Sequence, residues 1–105
     1  MIIKYQVEIN KDIIIKTLDR VTNQIFKLLP LREEGGEWKP TLRNLIVEVS
    51  GMGSLLIDQI DFFSLLCKME GLLTLESEDD FMMFRSTIFE SLSLITKIKE
   101  NVKSI

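Results

Sequence analysis

Residues 78–102, EDDFMMFRSTIFESLSLITKIKENV, decide the fold of this 105-residue chain. Their apolar positions recur every three or four residues, which is the period of an α-helix with one buried face. Ser77 and Asp80 resemble a capping box, and the acidic start and the lysines near the end both complement the helix dipole. The pattern therefore predicts a long amphipathic helix. Its buried stripe comprises Phe81, Phe84, Ile88, Leu92, Ile95 and Val102.

Three more amphipathic helices are predicted upstream, at residues 11–29, 38–50 and 55–70. Pro30 is expected to end the first, because proline has no N–H to donate within a helix. Gly51 and Gly71 fit the ends of the other two, since glycine readily takes the left-handed conformation after a helix. Cys67 is expected to be a small core residue. The other predicted core residues are Leu18, Ile25, Leu45, Val49, Ile60, Leu66, Ile88, Leu92 and Ile95.

Residues 2–9 alternate between apolar and polar side chains, with the period of a half-buried β-strand. A lone strand leaves backbone donors and acceptors unpaired, so this one needs a partner. Residues 72–76 could supply it, and so could the same segment of a second copy; the sequence favours neither. The predicted fold class is mainly α with some β (α+β). It is a compact four-helix domain, residues 1–105, with one N-terminal strand.

The chain contains no histidine and a single cysteine, Cys67. Imidazole catalysis, metal sites of the His or Cys type and Ser-His or Cys-His nucleophile pairs are therefore excluded within one copy. Asp58 and Asp61 could share a helix face and bridge a hard metal ion, but helix capping explains them equally well. We therefore expect no enzymatic activity, no metal and no cofactor.

The net charge of −3 is unevenly distributed along the chain. Residues 31–80 carry eleven acidic and four basic side chains, whereas the segments on either side are net basic. An acidic centre disfavours direct binding to nucleic-acid phosphates, and it favours a basic protein surface or simple solubility. The N-terminus lacks the apolar run of a signal peptide, and no apolar stretch has the length of a membrane span. The expected location is the cytoplasm.

The loop LREEGGEWKP, residues 31–40, combines an aromatic residue, two glycines and both signs of charge. Gly35 and Gly36 allow a tight reversal, and Trp38 offers the large contact area found at binding hot spots. The alternative is that Trp38 fixes the loop to the core, in which case the site is expected on the surface around Met82 and Met83. The predicted partner-binding residues are Arg32, Glu33, Glu34, Glu37, Trp38, Lys39 and Arg43.

Residues 81–84 read FMMF, which is more large apolar surface than one helix face can bury. Two of these four side chains are expected to face another surface, which could be another helix, a second subunit or a partner groove. Together with the unpaired strand, this surplus predicts a homodimer.

The runs EEGGEW at 33–38 and FRSTIFESL at 84–92, with the apolar helix between them, resemble small uncharacterised proteins of phages and mobile elements in low-GC Gram-positive bacteria. The resemblance implies a phage or prophage accessory protein that binds and blocks a host defence protein. One alternative is an oligomeric sponge for a nucleotide-type defence signal, with basic residues on phosphate and an aromatic ring on the base. Its candidate residues are Arg32, Lys39, Arg43, Arg85, Trp38 and Tyr5. A structural or assembly subunit is the other alternative.

Overall fold

The computed structural model describes residues 2–52 and 60–104, with side chains for 11–52 and 60–104. This part of the chain forms α1 (Ile2–Glu33), α2 (Trp38–Gly51), α3 (Ile60–Leu72) and α4 (Phe81–Lys103). A 3-10 turn, Glu78–Asp80, leads into α4, and the Ser77 hydroxyl caps that turn by accepting from the Asp79 N–H. α4 packs against α1 and α3, and α2 packs against the same two helices, so the four helices surround one core.

The core is apolar and receives one stripe of side chains from each helix. Ser91 is also fully buried there, and its hydroxyl donates to the Thr87 carbonyl at 2.8 Å, so this polar group is satisfied within α4. Most of the predicted core is confirmed. The buried members are Leu18, Ile25, Leu45, Val49, Ile88 and Ile95. Leu66 and Leu92 are half-buried.

The predicted N-terminal strand is wrong, because residues 2–9 belong to α1. No β-strand occurs among the residues that the structure describes, so this fold is all-helical rather than α+β. Residues 72–76, one suggested partner of the strand, are the end of α3 and the turn that follows it. The physical reason is hydrogen bonding: a helix satisfies its backbone groups within the segment, whereas a lone strand cannot.

Pro30 lies inside α1 and does not end it. It sits in the last turn and is exposed, so its missing N–H leaves one carbonyl of the preceding turn to water. The helix ends at a glycine pair. Gly36 N–H donates to Leu31 O at 2.9 Å and Gly35 N–H to Arg32 O at 3.0 Å, with Gly35 at a φ of 77°. These paired bonds form a Schellman motif, and they confirm the tight reversal predicted at these two glycines.

The buried face of α3 differs from the predicted one. Ile60 was predicted to be in the core but is 76% exposed, and the predicted core residue Cys67 is exposed too. The residues that α3 buries are Phe62, Leu65, Met69 and Leu72. Apolar residues occur on nearly every side of this segment, so spacing alone cannot select the face that packs. The predicted start of this helix near residue 55 lies outside the described residues.

Candidate binding corner between α1 and α2

Arg32, near the end of α1, joins four parts of the chain at one corner. Its guanidinium lies 4.4 Å from the Phe84 ring centroid and 5.1 Å from that of Trp38. It also donates to the carbonyls of Leu75 at 2.5 Å and Ser77 at 2.7 Å. Arg32 therefore holds the segment before α4 against the start of α2, and its charge is stabilised by aromatic faces and backbone dipoles.

Trp38, the first residue of α2, is 9% exposed and belongs to the core. Its ring meets Phe84 edge to face, with centroids 5.0 Å apart and planes at 72°. An aromatic pair in this geometry contributes beyond the area that it buries. The structure therefore shows the alternative, in which Trp38 fixes the loop to the core and is not an exposed anchor. Its indole forms the inner wall of the corner, and the corner stays a candidate site because of the exposed charged side chains around it.

Lys39 follows Trp38 and forms an ion pair with Glu76. The hydrogen bond and the charge of Lys39 lower the pKa of Glu76 below its ordinary value of 4.5. Because the pKa of Glu76 is lower in the folded chain than in the unfolded chain, the ion pair stabilises the fold at pH values above that ordinary pKa. This contribution is lost as the pH falls through the lowered pKa. Glu76 is exposed, so the contribution is small.

Two open clefts lie on either side of Trp38. The first, of about 440 Å³, is lined by Arg32, Glu33, Trp38, Glu76, Glu78 and Phe81. The second, of about 370 Å³, is lined by Gly36, Glu37, Trp38, Lys39, Pro40 and Arg43. In the first cleft Arg32 already covers the rings of Trp38 and Phe81, so the part of the cleft that could attract a basic side chain is its acidic rim of Glu33, Glu76 and Glu78. We refer to the two clefts together as the binding corner.

The predicted site residues divide between structural and exposed positions. Trp38 is buried, and Arg32 and Lys39 are engaged as described above. The remaining predicted residues, Glu33, Glu34, Glu37 and Arg43, are exposed. Glu33 borders the first cleft, while Glu37 and Arg43 border the second. Glu34 lies beside neither cleft and faces a third concavity with Lys27 and Leu31.

Sequence reasoning missed the contribution of residues 75–84 to this corner. Leu75 and Ser77 supply carbonyls, Phe81 and Phe84 supply rings, and Glu76 supplies the partner of Lys39. These residues lie about forty positions from Arg32 in the chain, so local spacing cannot place them there. In the sequence, the surplus of large apolar side chains in the FMMF run was the available signal that this segment packs against another surface.

A second exposed apolar surface lies where α1 meets α4. Phe26 and Phe89 contact each other edge to face at 6.4 Å, yet they remain 52% and 42% exposed. Met82 and Met83 are 69% and 63% exposed, so two residues of the FMMF run do point away from the core, as predicted. Arg85 lies over the Phe89 ring at 5.5 Å. Aromatic, Met and Arg side chains are enriched in protein interfaces.

Asp61, one of the two carboxylates considered for a metal, has partners on α4. It lies 3.8 Å from Lys97 and accepts a hydrogen bond from Asn101 at 3.3 Å. Asp58 lies outside the described residues. Within residues 2–52 and 60–104, no group of three or more His, Cys, Asp or Glu side chains is arranged to hold a metal ion. Those residues also contain no helix both long and apolar enough to cross a membrane.

Comparison with protein-family models, with curated proteins and with solved structures finds no match to this chain. Any function assigned to the binding corner therefore rests on its residues and their geometry.

Proposed function

We propose that this chain is a small non-catalytic binding protein that occupies a basic surface of a partner protein through the binding corner. The observation that carries the proposal is the first cleft. Its volume of about 440 Å³ leaves ample room for a long side chain, and its rim includes Glu33, Glu76 and Glu78.

The charge of the corner favours a cationic partner. Residues 31–43 and 75–80, which build it, carry seven acidic and three basic side chains. Arg32 and Lys39 are already engaged with backbone carbonyls and with Glu76, whereas Glu33 and Glu78 make no ion pair among the described residues. Two carboxylates on the cleft rim are therefore available to a partner's Lys or Arg side chain.

The resemblance described above supports a more specific form of the proposal. In that form the chain is a phage or prophage accessory protein, acts in the cytoplasm of a bacterial host, and blocks a host defence protein. A rigid corner suits such a blocker, because its contacts are organised before binding and little ordering is required on association.

A nucleotide-sequestering role is a second candidate, and the observation that favours it is the second cleft. Lys39 and Arg43 border this cleft beside Trp38. The support is weaker than for a protein partner, since Lys39 is paired with Glu76 and Arg32 is engaged elsewhere. Among the described residues that border this cleft, Arg43 is the cation without an ion pair, and its charge also acts on the nearby Glu76 carboxylate.

The test uses the single tryptophan as a reporter, because Trp38 forms the wall of both clefts. A short peptide rich in Lys and Arg is titrated into the protein, and the change in Trp38 fluorescence is followed. We expect saturable binding that the double variant Glu33→Gln with Glu78→Gln weakens by about fivefold, equivalent to about 1 kcal/mol.

The matched control is the double variant Glu70→Gln with Glu100→Gln, which also removes two negative charges, at exposed positions of α3 and α4 that line neither cleft. It should leave the affinity unchanged. Equal weakening by this control would show that the peptide responds to net charge alone, which contradicts a site at the corner. A thermal shift with cyclic or ADP-ribose-type nucleotides, and none with the peptide, would favour the second candidate.

A further inference from the structure

The outer face of α4 carries a regular alternation of large and small residues. Met82, Ser86, Phe89 and Ser93 are spaced by four, three and four residues, so they form one ridge along the helix. All four are exposed, and Met82 and Phe89 are 69% and 42% exposed. No helix of the described chain covers this ridge, although α1 and α3 flank α4. Exposed apolar side chains in such an arrangement indicate a contact surface.

The ridge is complementary in shape to the same ridge of a second copy that runs in the opposite direction. An antiparallel copy of α4, related by a two-fold axis that passes between Thr87 and Ile88, places Met82 opposite Ser93 and Ser86 opposite Phe89. Each large side chain then meets a small one, as knobs meet holes in packed helices. A parallel copy in register would instead place Met on Met and Phe on Phe.

The charges along the same face are complementary in the same orientation. Asp79 lies in the 3-10 turn just before α4 and Lys97 lies one turn after Ser93, so the two charges stand beyond opposite ends of the ridge. The two-fold axis brings Asp79 of one copy to the level of Lys97 of the other, at both ends of the contact. Antiparallel helices also align their dipoles favourably.

Both charged groups are available for this contact. The Asp79 side chain makes no ion pair within the described residues, and it is exposed. Lys97 is 67% exposed, and its nitrogen lies 3.8 Å from Asp61, which is a loose contact. Exposed pairs of this kind are weak within a chain, so Lys97 can turn toward a second carboxylate without disrupting α3 and α4.

α1 widens the surface beyond a single helix. Phe26 stands beside Phe89 at 6.4 Å and is 52% exposed, and Arg85 covers one side of the Phe89 ring. A second copy seated on the ridge would cover this aromatic edge as well. A two-fold contact uses the same patch twice, so every residue of the patch contributes two contacts to the interface.

We propose that two copies of this chain form a homodimer through the ridge of α4, antiparallel, with Met82 against Ser93 and Asp79 against Lys97. The occupant is a second copy because an antiparallel copy of the ridge places large side chains opposite small ones and Asp79 opposite Lys97. The proposal is independent of the binding corner, since its central residues lie outside both clefts.

The first experiment measures mass by light scattering and sedimentation from about 10 µM to about 1 mM. We expect a concentration-dependent rise from the 12.2 kDa monomer toward twice that mass. Ser86→Arg places a bulky cation opposite Phe89 and should weaken association at least tenfold. Ser64→Arg, the same change at an exposed position of α3, should not. Monomer mass at every concentration, or equal effects of both variants, would overturn the proposal.

The second experiment tests the orientation. Asp79→Lys and Lys97→Asp should each weaken association, because each places like charges opposite one another. The double variant should restore it, because the pairing is recreated with the signs exchanged. Double-variant association no stronger than that of the single variants would contradict the antiparallel register, provided that circular dichroism shows all three variants folded.

The proposal for the binding corner and the proposal for the dimer can be disproved independently of each other. Ser86→Arg should leave the peptide titration at Trp38 unchanged, because residue 86 does not line either cleft. The double variant Glu33→Gln with Glu78→Gln should leave the dimer mass unchanged. An effect of Ser86→Arg on peptide affinity that matches its effect on mass would mean that the ridge and the corner form one site.

Discussion

At the residue scale, Arg32 explains why the corner has a fixed shape. Its planar guanidinium donates to two carbonyls while stacked among the rings of Trp38, Phe81 and Phe84. A lysine could not reproduce this arrangement, because an ammonium group has no flat face and no fixed pair of donors. Arg32 and Trp38 therefore hold the corner together, and of the rim carboxylates beside them Glu76 is paired with Lys39, whereas Glu33 and Glu78 make no ion pair among the described residues.

Trp38→Ala should destabilise the fold by about 3 to 5 kcal/mol, because it removes a buried indole and leaves a cavity against Phe84. This result is expected in denaturant unfolding followed by circular dichroism. Trp38→Phe keeps an aromatic ring and should cost less than half as much. A loss below about 1 kcal/mol for Trp38→Ala would mean that the ring is not part of the core in solution.

At the scale of single elements, local signals predicted what local interactions determine. Ser77 caps the turn before α4, and Gly35 with Gly36 closes α1, because a few neighbouring residues settle both motifs. The rest depended on backbone hydrogen bonding and on non-local packing, neither of which is reported by the apolar pattern alone. The alternating pattern of residues 2–9 fits a strand, but the structure continues α1 through them. Likewise, the side of α3 that is buried depends on where its neighbouring helices lie.

The same limit applies to the candidate site. The loop containing Trp38 and Lys39 could be singled out from its composition, since it combines an aromatic residue with glycines and charges. The contacts with Glu76 and Phe84 could not, because they depend on how the start of α4 approaches the end of α1. The spacing of residues along the chain predicts which of them share a helix face. It does not predict which faces of different helices contact each other.

The burial pattern within α4 gives a matched pair of variants. Ile88 is fully buried and Leu92, four residues later, is half-buried toward one flank. Ile88→Ala should lower the free energy of unfolding by about 2 to 5 kcal/mol. Leu92→Ala should lower it by about half as much, because part of its side chain already contacts water. Denaturant melts measure both. The reverse order would mean that α4 is rotated about its axis.

At the scale of the whole molecule, shape limits where a site can be. The body measures 53 × 21 × 16 Å, so every helix contributes to the surface and the core is thin. Such a body leaves little room for an enclosed cavity, and the clefts at the corner are open to solvent. The two surfaces proposed for binding, the corner and the α4 ridge, both lie on the outside of this narrow body.

The helices are also linked by ion pairs across the outside of the bundle. The contribution of these pairs to the free energy of unfolding can be measured and compared with that of the core. Pairs between different helices are Arg20–Glu48, Lys68–Glu90, Lys97–Asp61 and Lys99–Asp19. Each has at least one clearly exposed member, and exposed pairs contribute about 0 to 1 kcal/mol each.

Raising NaCl from about 0.05 M to about 0.5 M should therefore lower the free energy of unfolding by less than about 2 kcal/mol, although the salt screens all four pairs. Chloride is used because strongly excluded anions such as sulfate would stabilise the core and hide the effect. The measurement is a urea melt at each salt concentration, kept below the concentration at which dimer forms. A loss larger than that of Ile88→Ala would mean that charge, and not the apolar core, holds the four helices together.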